Sequence, residues 1–167
     1  MTVSDNSVRI RRANSEDAAS LCEILNEIIA IGGTTALETP HTPMELDEHF
    51  ISEPECFVCH MAETSDGTAL GFQTLVRGSS LPGGWADIAT FTRRTPRIPG
   101  VGTALFEHTK KAARDLGMSV INATIRADNY SGIPFYEKIG FRTYDIAKAV
   151  PLKDGTPVDR VSKRYSL

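Results

Sequence analysis

The chain has little cysteine, no long apolar run and no excess of positive charge, and each shortage excludes a class of function. Three cysteines in 167 residues cannot build a disulfide scaffold, and they fit a reducing compartment. No apolar stretch approaches the roughly 18 residues that a membrane span requires. The first seven residues, Met1 to Ser7, have neither the basic nor the apolar region of a secretory leader, so a cytoplasmic location is expected. A net charge of -3 gives no general reason to expect a nucleic-acid partner, although Arg93, Arg94 and Arg97 cluster locally. The four histidines, His41, His49, His60 and His108, lack the spacing of a metal site, and no metal is expected.

One cysteine pattern invites a different reading. Cys56-Phe57-Val58-Cys59-His60 spells a haem-attachment motif, and also half of a zinc site. Haem attachment goes with export, which the N-terminus does not support, and no second cysteine pair completes a tetrahedral shell. The segment reads instead as a strand, in which positions three apart point to opposite faces and cysteine acts as a small hydrophobe.

What is present is an ordinary globular composition, 41% hydrophobic and 23% charged, without repeats or linkers. One domain over residues 1–167 is expected, with 1–7 as a loose tail. Residues 7–12 alternate as a first strand. Asn14 or Ser15 caps a helix whose apolar positions run from Ala18 to Ile29 and which stops at Gly32-Gly33. Thr42-Pro43 opens a second helix to about Ser52. Strands follow over 56–63 and 69–77, around a hairpin turn at Ser65-Asp66-Gly67, and over 85–92. Gly100 opens the strongest helix, with Val101, Leu105, His108, Ala112 and Leu116 on one face and Gly117 past its end. A strand over 119–126, a short helix over 129–139 and strands over 141–147 and 158–166 complete a layered α/β (α+β) order, β-α-α-β-β-β-α-β-α-β-β.

The junction from Thr90 to Thr103 carries the chemistry. A strand ends, a proline-rich loop turns, and Gly100-Val101-Gly102 starts a helix. The first helical N–H groups have no intrahelical partner and the dipole makes that end positive, so the loop is suited to an anion. A P-loop would need Gly-Lys-Ser/Thr here, whereas Thr103-Ala104 follows Gly102, and a dinucleotide fingerprint needs a third glycine. By spacing alone, a tight turn without a ligand explains the glycines equally well.

Arg97-x-x-Gly-x-Gly, the strand Val120-Ile121-Asn122-Ala123-Thr124, Asn129, and Phe135-Tyr136-Glu137-Lys138-Ile139-Gly140-Phe141 together resemble the GNAT acetyltransferase superfamily. The resemblance is specific from about Trp85 to Tyr144 and looser upstream to Val8. It implies a mixed, mostly antiparallel sheet in which the adjacent parallel strands 85–92 and 119–126 splay apart, with flanking helices. It implies acetyl-CoA as co-substrate. The pantetheine arm would bond the backbone of Phe91 and Thr92, and the diphosphate would lie on amides of Ile98, Gly100, Val101, Gly102 and Thr103, with Arg97 and Asn129 in the same site. Pro99 stands where the family usually has a basic residue. Proline has no N–H, so at most five of the six amides from Arg97 to Gly102 can donate, and weaker or rearranged phosphate contacts are expected.

Acetyl transfer to an amine needs a base for the ammonium proton and an acid for the leaving thiolate. The family match makes Tyr136 the acid, against the reading of a buried tyrosine with its hydroxyl satisfied. Asp87, in the apolar run Ala86 to Ala89, is the base candidate, since partial burial would raise its pKa. The chain resembles the phosphinothricin-type subgroup, which has a glutamate at that point. Aspartate is one methylene shorter and would act through water. The other reading of Asp87 is a carboxylate paired with an arginine across the strands. The subgroup resemblance also implies that Thr34, Thr35 and Glu38 help to form the acceptor pocket, with a solvated loop as the alternative. Arg77 and Arg126 would suit an acceptor carboxylate. The expected reaction is acetylation of a primary amine on a small, amino-acid-like acceptor by direct attack, in a protein that forms homodimers. The other readings are acetylation of a protein N-terminus or lysine, and a CoA-binding domain without catalysis.

Overall fold

A computed structural model describes residues 7–167, and the first six residues of the expected tail lie outside the described residues. Seven strands form one sheet in the order β1-β2-β3-β4-β5-β7-β6. They are β1 (Arg9–Arg12), β2 (Cys56–Glu63), β3 (Ala69–Val76), β4 (Trp85–Thr92), β5 (Val120–Arg126), β6 (Arg142–Pro151) and β7 (Pro157–Ser166). Among the described residues four α-helices accompany them: α1 (Ala18–Ile31), α2 (Pro43–Leu46), α3 (Val101–Asp115) and α4 (Gly132–Lys138). All neighbouring strands run antiparallel except β4 and β5.

Local chemistry sets the helix starts. The Asn14 side chain accepts from the Glu16 amide at 2.9 Å while the Asp17 carboxylate accepts from the Asn14 amide at 2.9 Å, closing a capping box ahead of α1. Thr42 and Glu45 form a second box at α2. The expected helix to Ser52 is α-helical only to Leu46, and residues 47–51 continue as a π turn.

Two helical layers cover the two faces of the sheet. On one, Leu21, Leu25 and Ile28 of α1 and Leu46 of α2 pack on Cys59, Met61, Phe72 and Phe91. On the other, Phe106 and Ala113 of α3 and Tyr136 of α4 pack on Leu75, Ile88, Ile121 and Ala123. The core face of α3 is Val101, Leu105, Thr109 and Ala113, with Phe106 beside it. His108 and Leu116, expected on that face, are exposed. The centre of that stripe falls between Leu105 and Thr109, so His108 lies at its outer edge, and Leu116 is the cap residue past the end of the helix.

The cysteine strand also departs from simple alternation. The register of β2 against β3 slips between Cys56 and Val58, a β-bulge. The extra residue puts Phe57 and Val58 on the α3 side and returns Cys56 to the α1 side with Cys59. The two cysteines therefore share a face, because one inserted residue reverses the parity of every position before it.

Candidate active site

Strands β4 and β5 pair at three positions only, Trp85 with Val120, Ala86 with Ile121 and Asp87 with Asn122. Beyond Asp87 they separate, leaving a V whose arms are the rest of β4 and β5. Arg93 donates to the Leu70 carbonyl at 2.7 Å, so residues alternating with it along β4, Phe91 included, turn their peptide groups towards β3. Thr90 and Thr92 turn theirs to the open edge. Phe91, whose backbone was expected to bond the pantetheine arm, has its peptide groups on the β3 side, and its ring stacks on Phe72 in the core at 4.9 Å between centroids. The strand's pleat decides this, and the open backbone is that of Thr90 and Thr92.

A cleft of about 640 Å³ occupies the V and the start of α3. The whole loop from Arg97 to Thr103 lines it, with Thr90, Thr92, Asn129 and Tyr136. The first i→i−4 bond of α3 runs from the Ala104 amide to the Gly100 carbonyl, so Val101, Gly102 and Thr103 precede the helical ladder. The two glycines have separate reasons. Gly100 has φ +85°, the left-handed region. A Cβ on Gly102 would lie 2.8 Å from Cε2 of Phe135, so this position is small because α3 packs on α4. Arg94 also lines the cleft, with a buried Nε that has no partner and one 3.2 Å bond from Nη2 to Ser131. Tyr130 and Lys138 are lining residues that the sequence motif did not single out; the tertiary position of α4 and of the turn before it brings them to the loop, to which Arg94 itself belongs.

Asn129 and Tyr136 are both heavily engaged. Asn129 donates to the Thr34 carbonyl at 3.0 Å and accepts from the Gly132 amide at 2.8 Å, tying the loop after α1 to the start of α4. Tyr136 is buried, and its hydroxyl shares a 2.9 Å bond with the Thr90 hydroxyl, which accepts from Gln73 at 2.9 Å. Burial pushes the phenol up to about 12.

Asp87 lies on the opposite face of the sheet. Trp85, Asp87 and Phe91 alternate with Ala86, Ile88 and Thr90, and the second set faces α3 and α4. Asp87 opens into a second pocket of about 390 Å³, bounded by Ser80–Pro82, Trp85, Asn122 and Tyr144. Its partner is an amide, not an arginine: Asn122 Nδ2 donates to Oδ1 at 2.8 Å. Burial raises the Asp87 carboxyl above its ordinary range, and the bond from Asn122 opposes that shift. Asn122 in turn accepts from the Tyr144 hydroxyl. Asn122 had one legible sign, an amide between Ile121 and Ala123 in an apolar strand; Tyr144 had none.

The expected acceptor residues lie elsewhere. Arg77 pairs with Glu55 at 2.9 Å on the surface, lies over the Phe57 ring and lines neither cleft, so it is not placed to hold an acceptor carboxylate. Arg126 is buried and bound to Asp128 at 2.9 and 2.7 Å and to the Thr35 carbonyl at 3.2 Å. Its charge is already matched by its own neighbour two residues on. Glu38 accepts from the Lys153 amide at 2.9 Å, and the Thr35 hydroxyl accepts from the Leu37 amide at 3.1 Å; neither residue lines either cleft. Thr34 does line the larger cleft, with a buried hydroxyl lacking a partner.

Comparison with known proteins agrees with this geometry. The model of the Acetyltransferase (GNAT) family matches residues 21–141. YwnH of Bacillus subtilis (strain 168), a phosphinothricin acetyltransferase-like protein, is 27% identical over 95% of this chain and 94% of its own length. An N-acetyltransferase from Staphylococcus aureus Mu50 superposes with a TM-score of 0.85 at 21% identity, over 96% of this chain and 98% of that one. A GNAT superfamily phosphinothricin acetyltransferase from Sinorhizobium meliloti, solved in complex with acetyl-CoA, superposes with a TM-score of 0.83 at 23% identity, over 96% and 88%. The chain belongs to the acetyltransferase (GNAT) family, a family of acyltransferases.

Proposed function

We propose that this GNAT acetyltransferase moves an acetyl group from acetyl-CoA to the primary amine of a small, amino-acid-like acceptor by direct attack. The observation that carries the reading is the separation of β4 from β5 just beyond Asp87 and Asn122. It opens the large cleft on the helix side and sets the Asp87 pocket on the other, so two substrates could meet between the strands from opposite faces. The free amides at the start of α3 suit the diphosphate, and Arg94 adds a guanidinium beside them whose Nε has no partner. The open edge of Thr90 and Thr92 suits a pantetheine arm. The acetyl-CoA complex of the Sinorhizobium meliloti protein and the name of the Bacillus subtilis relative support the donor and the acceptor class respectively.

In this reading the acceptor ammonium loses a proton to Asp87, directly or through one water, and the amine nitrogen forms a bond to the thioester carbonyl carbon as the carbon–sulfur bond breaks. The sulfur departs as thiolate beside Tyr136 and takes up the second proton that the nitrogen sheds on becoming an amide. A phenol at about 12 keeps its proton throughout the working range. Full transfer to a thiol of ordinary pKa near ~8.5 is uphill, so hydrogen-bond donation to the departing sulfur is its main contribution. The reading takes residues 1–167 as one acetyltransferase domain, and it includes a cytoplasmic location, supported by three free thiols. It also includes a homodimer, supported by the exposed edge strand β6 with Tyr144 and Ile146 on its surface.

Titration with acetyl-CoA, followed by a screen of amino acids and amines for thiol release, tests the reading. Binding with thermal stabilisation and turnover of an amino-acid-like amine is expected. No stabilisation by acetyl-CoA removes the donor, and turnover confined to peptide amines removes the acceptor class.

A further inference from the structure

We propose that Asn122 is a positioning residue that holds the Asp87 carboxylate ionised and aimed into its pocket, and that the Tyr144 hydroxyl sets Asn122. The inference rests on the reading of Asp87 as the base. The hydrogen-bond count at Asn122 closes. One Nδ2 hydrogen goes to Asp87 Oδ1 at 2.8 Å and the other to Thr124 Oγ1 at 3.1 Å, while Oδ1 accepts from the Tyr144 hydroxyl. The side chain is 3% exposed, so an amide with any of these groups unmatched would be costly there. Turning the amide over would set its oxygen against the carboxylate and lose the bonds to Asp87 and Thr124. The amide has one orientation, and the charge on Asp87 selects it.

The placement gives that orientation a purpose. Asp87 and Asn122 face each other at the last paired position of β4 and β5, where both backbones are still held by the sheet. The bond holds one carboxylate oxygen, and the Ile88 amide also favours the ionised form. An N–H donated to the ionised form favours that form, and the half-buried site disfavours it. The charged and titratable groups around the pair are Tyr144 and Asp145 from β6, Arg164 from β7, which lies over the Tyr144 ring, and Tyr136 from α4. From β3, the residue after the facing Val76 is Arg77, neutralised by Glu55. None of them donates to Asp87. Asn122 is thus the side chain that sets its proton affinity against burial, and Tyr144 acts one bond further out.

Titration of the Asp87 carboxyl by carbon-13 NMR tests this without an acceptor. Asn122→Ala should raise the Asp87 pKa by about one unit, and Tyr144→Phe should raise it by less. The acid limb of kcat/KM should move by the same amounts. An Asp87 pKa unchanged in both variants overturns the proposal. Should Asn122→Ala not fold, Tyr144→Phe carries the test, since it deletes one oxygen from a ring that is 39% exposed. Failure of the base assignment is separate: Asp87→Asn with undiminished turnover removes that assignment, whatever the titration shows.

Discussion

Thr90 and Tyr136, on β4 and α4, share a 2.9 Å hydrogen bond where the cleft meets the sheet. Gln73 already donates to the Thr90 oxygen at 2.9 Å, so the threonine hydrogen is best placed on Tyr136. That leaves the phenolic hydrogen for the cleft. Tyr136→Phe should lower kcat by about 10²-fold with little change in acetyl-CoA affinity, as read by thiol release and calorimetry. An equal loss of affinity and turnover would make the tyrosine a packing residue.

Asp87→Asn removes the proposed proton acceptor and keeps the shape of the side chain. The base must be ionised, so kcat/KM should fall as pH drops through the Asp87 pKa, which lies above the ordinary ~3.9 because of burial. The variant should lose about 10²-fold at neutral pH and show no such acid limb. A pH–rate profile that keeps the limb in the variant would assign it to another group.

The two loop glycines should respond differently. Gly100→Ala places a Cβ at φ +85° in open space, so the cost should be about 1 kcal/mol of backbone strain. Gly102→Ala pushes a methyl to 2.8 Å from the Phe135 ring, so that ring must turn or α4 must move beside Tyr136, at about 1–3 kcal/mol. Thermal unfolding and acetyl-CoA titration of both variants check this: Gly102→Ala should lose more stability and more turnover.

Folding stability should fall on mild acidification. His60, buried on β2 beside Thr109 and near His108, has its pKa lowered to about 4 by burial, against about 6.5 unfolded. The unfolded chain therefore takes up a proton first. The neutral ring contributes its full stability above pH 6.5, and this is lost as pH falls from there towards 4, by on the order of 2 kcal/mol. His60→Gln should reduce the drop in melting temperature between pH 7 and 5; an unchanged drop would place its origin in other groups.

How much of this was legible in the sequence varied with the range of the interaction. The helix caps at Asn14 and Thr42, the stop at Gly117 and the succession of elements along the chain rest on contacts within a few residues, and local patterning carries them. The Arg97–Gly102 loop was legible for the same reason: a helix start presents free amides whatever surrounds it. The cysteine parity failed because a bulge is a property of two strands, and Cys56 by itself carries no sign of it. Arg77 and Arg126 failed because a charge that suits a ligand suits a neighbouring carboxylate equally, and only the fold shows Glu55 and Asp128 in place.

The sequence alone determined the elements, their order along the chain and a helix start with free amides at Val101, Gly102 and Thr103, since each follows from short-range geometry. Tertiary structure decided that Asp87 and Tyr136 stand on opposite faces of one sheet, and that Asn122 and Tyr144 complete the Asp87 side. It also decided that β4 separates from β5 directly beyond them. Those relations join residues 22 to 49 positions apart, and only the register of paired strands and the packing of α4 bring them together.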